Sequence, residues 1–300
     1  MSETYYHTKD VKISYKVETA YASGKGSTKY DATVMAAGDA ASMTAMNFPQ
    51  EAFTIPQIVY DRVIVRGPGD GADTVHPFVA GYDWEKMKLT IPVYVQNSTW
   101  LDAAIQASAG AIPTSYLFHF EGEGKVFDFI GCVLEQYTLK AGEKFPFETL
   151  VFNVYDVKTG NAFTTPAHPA FNTAQPKINK DITLNIASNA FSTMKSLTLD
   201  LKMNFPEPTV AGKYQRYDPV LISREYTLDY EADYDPVPIK WDGSTEALTV
   251  RTAIVNQGYK SLTSTNLYLK DGFTGEYPLY GIIPKKGQLT NGGAVAHSAA

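Results

Sequence analysis

A single cysteine, Cys132, stands among the 300 residues. It excludes an intramolecular disulfide and any zinc site built from several cysteines. Its neighbours Phe129, Ile130, Val133 and Leu134 are apolar, so it reads as a small buried hydrophobe rather than a nucleophile. Charge is also scarce, at 19% Asp, Glu, Lys and Arg against about 25% in ordinary soluble domains. The balance is 26 basic to 32 acidic side chains, a net charge of −6, and the basic residues are dispersed. Tight nucleic-acid binding through a basic stripe is therefore not expected. No uncharged apolar run approaches the roughly 20 residues of a membrane-crossing helix. Residues 1–7 carry no basic segment leading into an apolar run, so a secretory route is not expected either.

Chemical signatures are equally sparse. Gly24-Lys25-Gly26-Ser27-Thr28 lacks the first glycine of a phosphate loop, and neither a G-x-S-x-G nor an H-E-x-x-H motif occurs. His7, His76, His119, His168 and His297 are scattered without ligand spacing. No metal or cofactor is expected, and no enzymatic activity.

What the sequence does have is aromatic material, with 20 Tyr, 15 Phe and 3 Trp, and alternation at period two. Alternating apolar and polar residues predict half-buried strands at 11–17, 58–66, 86–95, 115–121, 181–186, 196–204, 221–235, 248–255 and 266–270. Pro92 removes a ladder donor from the strand at 86–95 and points to an edge or a break in pairing there. A helix is predicted over about 98–110, capped by Ser98 or Thr99, with Asp102 in its first turn and Gly110 closing it. Residues 125–139 and 144–157 form a hairpin around Lys140-Ala141-Gly142-Glu143.

Strict alternation in this hairpin places Phe127, Phe129, Val133, Tyr137 and Leu139 on one face, and Val126, Ile130, Cys132 and Leu134 on the other. Two apolar faces require a covering layer, from the helix or from another subunit. Residues 20–46, rich in Ala, Gly, Ser, Thr and Met, read as a long arm. Residues 287–300 are small and polar and are expected to fray. The expected organisation is a main β domain over 1–240 that includes the arm, with a C-terminal β extension over 241–300.

The densest constellation is Asp229-x-Glu231-x-Asp233-x-Asp235, four carboxylates at period two. On a strand all four share a face. Like charges so close require water or cations, and the pattern lacks the tight glycine turn of a calcium loop.

The order of elements carries a resemblance. Trp100-Leu101-Asp102-Ala103-Ala104-Ile105-Gln106-Ala107-Ser108-Ala109-Gly110, followed by Tyr116-Leu117-Phe118-His119-Phe120, is similar to the phage tail tube proteins. The segment from Phe127 through Gly131-Cys132 and Tyr137-Thr138-Leu139 to Ala141-Gly142-Glu143 resembles that family's long hairpin. Ile182-Thr183-Leu184, Leu197-Thr198-Leu199-Asp200-Leu201 and Tyr226-Thr227-Leu228-Asp229-Tyr230 resemble its later strands, so the likeness spans about residues 85–235.

The resemblance implies an all-β, sandwich or barrel-like subunit with one flanking helix and long loops. Such subunits form homohexameric rings, stacked head to tail in a virion tail beside other tail proteins. Double-stranded DNA passes through the channel without tight binding. Asp200, Asp229, Glu231, Asp233 and Asp235 are the expected lumen-facing carboxylates. Phe127, Phe129, Tyr137, Met35, Met43 and Met46 are the expected subunit-interface residues. A Tyr-rich, mildly acidic β-sandwich adhesin or carbohydrate-binding module is the alternative.

Overall fold

The computed structural model describes residues 12–18, 43–46, 60–65, 76–82, 87–96, 102–105, 109–122, 125–142, 144–159, 174–191, 194–206, 219–232, 251–259, 261–269, 274–275, 285–290 and 297–299. Within them lie β1 (Lys12–Val17), β2 (Thr44–Ala45), β3 (Tyr60–Val65), β4 (His76–Tyr82), β5 (Lys88–Tyr94), β6 (Ser115–Gly122), β7 (Lys125–Ala141), β8 (Phe147–Asn153) and β9 (Asp156–Thr159). The chain continues with β10 (Thr183–Ile186), β11 (Asn189–Ala190), β12 (Met194–Asn204), β13 (Ser223–Ala232), β14 (Arg251–Asn256), β15 (Ser261–Leu269), β16 (Thr274–Gly275), β17 (Lys285–Thr290) and β18 (His297–Ala299). The protein is all-β and antiparallel. The main path of its 16-stranded sheet runs β11-β10-β14-β15-β17-β13-β12-β7-β6-β1-β2, while among the described strands β3 and β4 pair only with each other.

The path folds back on itself around one core. Leu184, Ile186, Ala253, Val255 and Leu262 of its β10-β14-β15 arm share that core with Leu89, Ile91, Tyr137, Leu150, Leu199 and Leu228 of the other arm. Each of these residues alternates with a wetter neighbour along its strand, as period-two burial requires. β5 pairs with β8 alone among the described strands, with Pro92 opposite Thr149, so Pro92 does sit on a sheet edge.

β7 is the spine. Along one side it pairs with β8 and then β9; along the other it pairs with β6 through its first half and β12 through its second. Two register shifts each place one extra residue in β7, between the Tyr116 and Phe118 pairings and between the Leu134 and Gln136 pairings. Gly131 lies at the first with φ 62°, a conformation open to glycine.

Each extra residue flips the inward parity. The core face of β7 therefore reads Phe129, Cys132, Leu134, Tyr137 and Leu139. Strict alternation misassigned Val133, Cys132 and Leu134 because it cannot see a bulge. Ile130 and Val133 point the other way, yet they are buried too, with Leu117 of β6. That second dry face is covered within the single chain, so it needs no second subunit to stay dry.

Of the predicted helix one turn is described, α1 (Asp102–Ile105); Ala104 and Ile105 are buried in the core, and Gly110 follows with φ 83°. Trp100, Leu101 and residues 106–108 lie outside the described residues. The strand at 144–157 breaks at Val154–Tyr155, where Val154 N–H donates to Met87 O and Tyr155 N–H to Ile130 O. The C-terminal segment is not frayed throughout: β17 is inserted between β13 and β15, with Leu289 buried. Hydrogen bonding thus runs across the expected boundary at residue 240. Of the long arm, residues 43–46 are described, and β2 pairs Ser14 and Tyr15 of β1.

Gly142 closes the spine with φ +146°, and a Cβ there would sit 3.1 Å from Ser196 Cβ and 3.2 Å from Lys195 O. Both backbone strain and a clash with β12 oppose a side chain. Gly142→Ala is expected to cost about 1–3 kcal/mol in urea unfolding, and a neutral result would show that the turn adapts.

Candidate functional site

The wet face of β7, β12, β13 and β17 carries the acidic residues found in the sequence. In β13 burial alternates, with Tyr226, Leu228, Tyr230 and Ala232 inward and Thr227, Asp229 and Glu231 half-buried on the outer side. Asp229 and Glu231 therefore share a face. Asp200 of β12 belongs to the same face, because it lies opposite Thr138 on one side and Thr227 on the other. Asp233 and Asp235 lie outside the described residues.

These carboxylates are not a bare anionic stripe. Asp200 Oδ1 accepts from Thr138 Oγ1 at 2.7 Å and from Gln136 Nε2 at 2.8 Å. Asp229 Oδ1 accepts from Gln288 Nε2 of β17. Lys202 lies opposite Glu225 and Gln136, Lys140 lies opposite Thr198, and Lys286 holds the register position opposite Glu231. Asn204 Nδ2 donates to Glu225 Oε1 at 3.0 Å and Ser223 Oγ at 3.1 Å. Neutral donors and interspersed lysines thus relieve the repulsion among the described carboxylates of this face. The result is a polar ladder spanning four strands, bonded largely to itself.

The expected interface residues are placed differently. Phe129 and Tyr137 are fully buried in the chain's own core, and Met43 and Met46 are 6% and 2% exposed. Their surfaces are spent inside one copy, which corrects the reading of them as contacts between subunits. Phe127 is partly buried against the core, and Met35 lies outside the described residues.

A second polar cluster, which sequence reasoning missed, lies on the same side of the sheet, away from the core, at the β6 end of β7. His119 is 1% exposed, with Nδ1 2.6 Å from Asp128 Oδ1 and Nε2 3.0 Å from Glu121 Oε1. Burial pulls the imidazole pKa down, but hydrogen bonds and charges from Asp128 and Glu121 together outweigh it and leave the value raised. Ser14 of β1 lies opposite His119 in register, and its hydroxyl has no hydrogen-bond partner among the described residues. The nitrogen that a serine nucleophile would need, Nε2, is turned to Glu121 instead. At the other end of β6, Glu18 accepts from Ser115 Oγ at 2.5 Å and from Gly131 N–H at 3.2 Å, which pins the first bulge of the spine.

No protein-family model matches this chain, and no curated protein matches its sequence.

A third cluster joins the two arms of the sheet through the core. Glu148 of β8 is fully buried and accepts from Tyr137 OH at 2.8 Å and Tyr259 OH at 3.1 Å. Gln257 Nε2 donates to the Tyr137 oxygen. Burial, with the Glu148 charge next in weight, pushes the Tyr137 phenol well above its ordinary value, so it remains a donor. The Cys132 thiol is likewise raised by burial and then by Glu18, which suits packing and not nucleophilic attack. Among the described residues no group of three or more His, Cys, Asp or Glu is arranged to hold a metal ion.

Proposed function

We propose that this chain is a structural virion protein, a tail tube subunit that forms homohexameric rings stacked into a channel for genome delivery. In this reading the ladder of Gln136, Thr138, Asp200, Asp229 and Gln288 faces the lumen, and double-stranded DNA slides past it without adhering. The observation that carries the reading is the character of that face: polar, half-buried, and with Asp200 and Asp229 bonded by neutral amides and a hydroxyl. Affinity for DNA grows with the number of phosphates neutralised by Lys and Arg. A face whose lysines alternate with acids offers few such contacts, and its acids repel the backbone at short range. Transport then depends on the absence of binding.

The reading also accommodates the sheet's edges. Among the described strands β5 pairs on one side alone, with β8, and β2 covers two residues of β1. Unpaired strand edges invite pairing with another chain, and head-to-tail contacts of this kind close into rings when the rotation permits. The interface would use these edges and Phe127, not the buried Phe129 and Tyr137. The test is electron microscopy of the purified protein over a concentration series. Rings with a central hole, or hollow filaments of uniform width, are expected. A monomer that persists at the highest concentration would overturn the proposal.

A further inference from the structure

The geometry around His119 points to a proton-operated clamp: a doubly protonated imidazolium held between Asp128 and Glu121 ties β6 to β7, and loss of one proton loosens the β1-β6-β7 end of the sheet. We propose this independently of the assembly reading, because the clamp lies within one chain. Both ring nitrogens are within hydrogen-bond distance of carboxylate oxygens. An ionised carboxylate only accepts, so both contacts are satisfied together when both nitrogens carry hydrogen. A neutral imidazole has a single N–H. With that hydrogen on Nε2, the Nδ1 lone pair faces Asp128 and the link between β6 and β7 opposes acceptor to acceptor; with it on Nδ1 the same conflict falls on Glu121, within β6.

The surroundings make that conflict costly. His119, Asp128 and Glu121 are 1%, 3% and 8% exposed, so water screens little of it. On β1, the charged residues at register positions facing this part of β6 are Lys12 opposite Glu121 and Lys16 opposite Leu117, with Ser14 opposite His119. On β7 they are Asp128 itself and, opposite Gly122, Lys125. On β9 Lys158 is opposite Asp128, and on β2 Ala45 is opposite Ser14. Glu18, bonded to Ser115 and Gly131, closes the row at the far end of β6. Acids thus stand on both sides of the imidazole. A group whose pKa is raised on folding contributes its stability below the unfolded value, about 6.5 for histidine, and that contribution fades as pH rises through the folded value.

The experiment is a proton NMR titration of the wild-type histidines, assigned with His119→Gln, combined with amide hydrogen exchange at Phe118 and Phe120 across the same pH range. The His119 midpoint is expected above the ordinary histidine value. Protection factors at Phe118 and Phe120 are expected to fall several-fold in the wild type as pH passes that midpoint, with no such step in His119→Gln. A His119 midpoint at or below the ordinary value would overturn the proposal, because the shared proton would then sit on a carboxylate. Unchanged wild-type protection through the midpoint would overturn it as well. The NMR titration and the wild-type exchange decide the matter even if His119→Gln fails to fold, since assignment can then come from through-bond experiments.

Discussion

Phe152→Ala is expected to lower the unfolding free energy by about 3–5 kcal/mol, the range for truncating a fully buried aromatic residue. The Phe152 side chain is fully buried, with its ring centroid 4.8 Å from Phe118 at 60° and 6.0 Å from Tyr116 at 68°. These are edge-on geometries, worth about 0.5–1.5 kcal/mol per pair beyond the area they bury. Their positions matter as much as their number. Phe152 belongs to β8 and Phe118 to β6, which flank the spine on opposite sides, so rings in contact mean that the sheet curls over β7. Cys132 lies on the core face of β7 between Phe129, opposite Phe118, and Leu134, opposite Phe152. A small side chain there leaves room for the two rings to meet. Removing Phe152 takes the lid off this curl and leaves a cavity that rigid sheet backbone cannot collapse into. Urea unfolding should show a lower midpoint with an unchanged slope. A loss under about 1 kcal/mol would place the ring outside the core.

The strands were legible because the same period-two pattern that marks them in sequence decides which side chains they bury. β12 illustrates this: Leu197, Leu199, Leu201 and Met203 are inward and Thr198, Asp200 and Lys202 outward, as alternation predicts. β7 was legible as a strand but not in its faces, because the bulges at Gly131 and near Glu135 reset the parity. The second bulge also frees Glu135 to accept from Lys88 Nζ of β5 at 2.9 Å, two strands away. β17, with the sequence Lys-Lys-Gly-Gln-Leu-Thr, carries almost no apolar alternation. It becomes a strand because β13 and β15 offer it hydrogen-bonding partners on both sides, a tertiary cause that no local window contains.

The acidic face was visible as a spacing. What could not be seen was that Gln288 and Gln136, far away in the chain, would bond those carboxylates. The His119 cluster did leave a signal: His119 and Glu121 sit at i and i+2, and Asp128, nine residues on, lies opposite His119 where β6 pairs with β7. The Glu148 cluster left none, since Glu148 and Tyr259 are separated by 111 residues and meet only when the two arms of the sheet close.

Tyr137→Phe is expected to cost about 2–3 kcal/mol with almost no change in packing volume, because it deletes one oxygen that serves two buried partners. The phenol donates to Glu148 and accepts from Gln257, and all three residues are fully buried. Phenylalanine fills the same space but leaves the Glu148 carboxylate short of a donor and the Gln257 amide short of an acceptor. Tyr259→Phe should cost distinctly less: Tyr259 is half-buried, so water can replace its hydroxyl on Glu148. Alkaline pH separates the hydrogen-bonding role from simple packing. The folded pKa of Tyr137 is raised, so its contribution is complete below the unfolded value, about 10, and declines as pH rises beyond it. Tyr15, pushed up to about 12 by burial, and Tyr226, also raised by burial, add to the same decline. The wild type should therefore lose stability more steeply above pH ~10 than Tyr137→Phe does, and the gap between the two proteins should narrow there. Parallel curves through that range would mean that the Tyr137 hydroxyl reaches water, and that the two arms of the sheet are not sealed at this point.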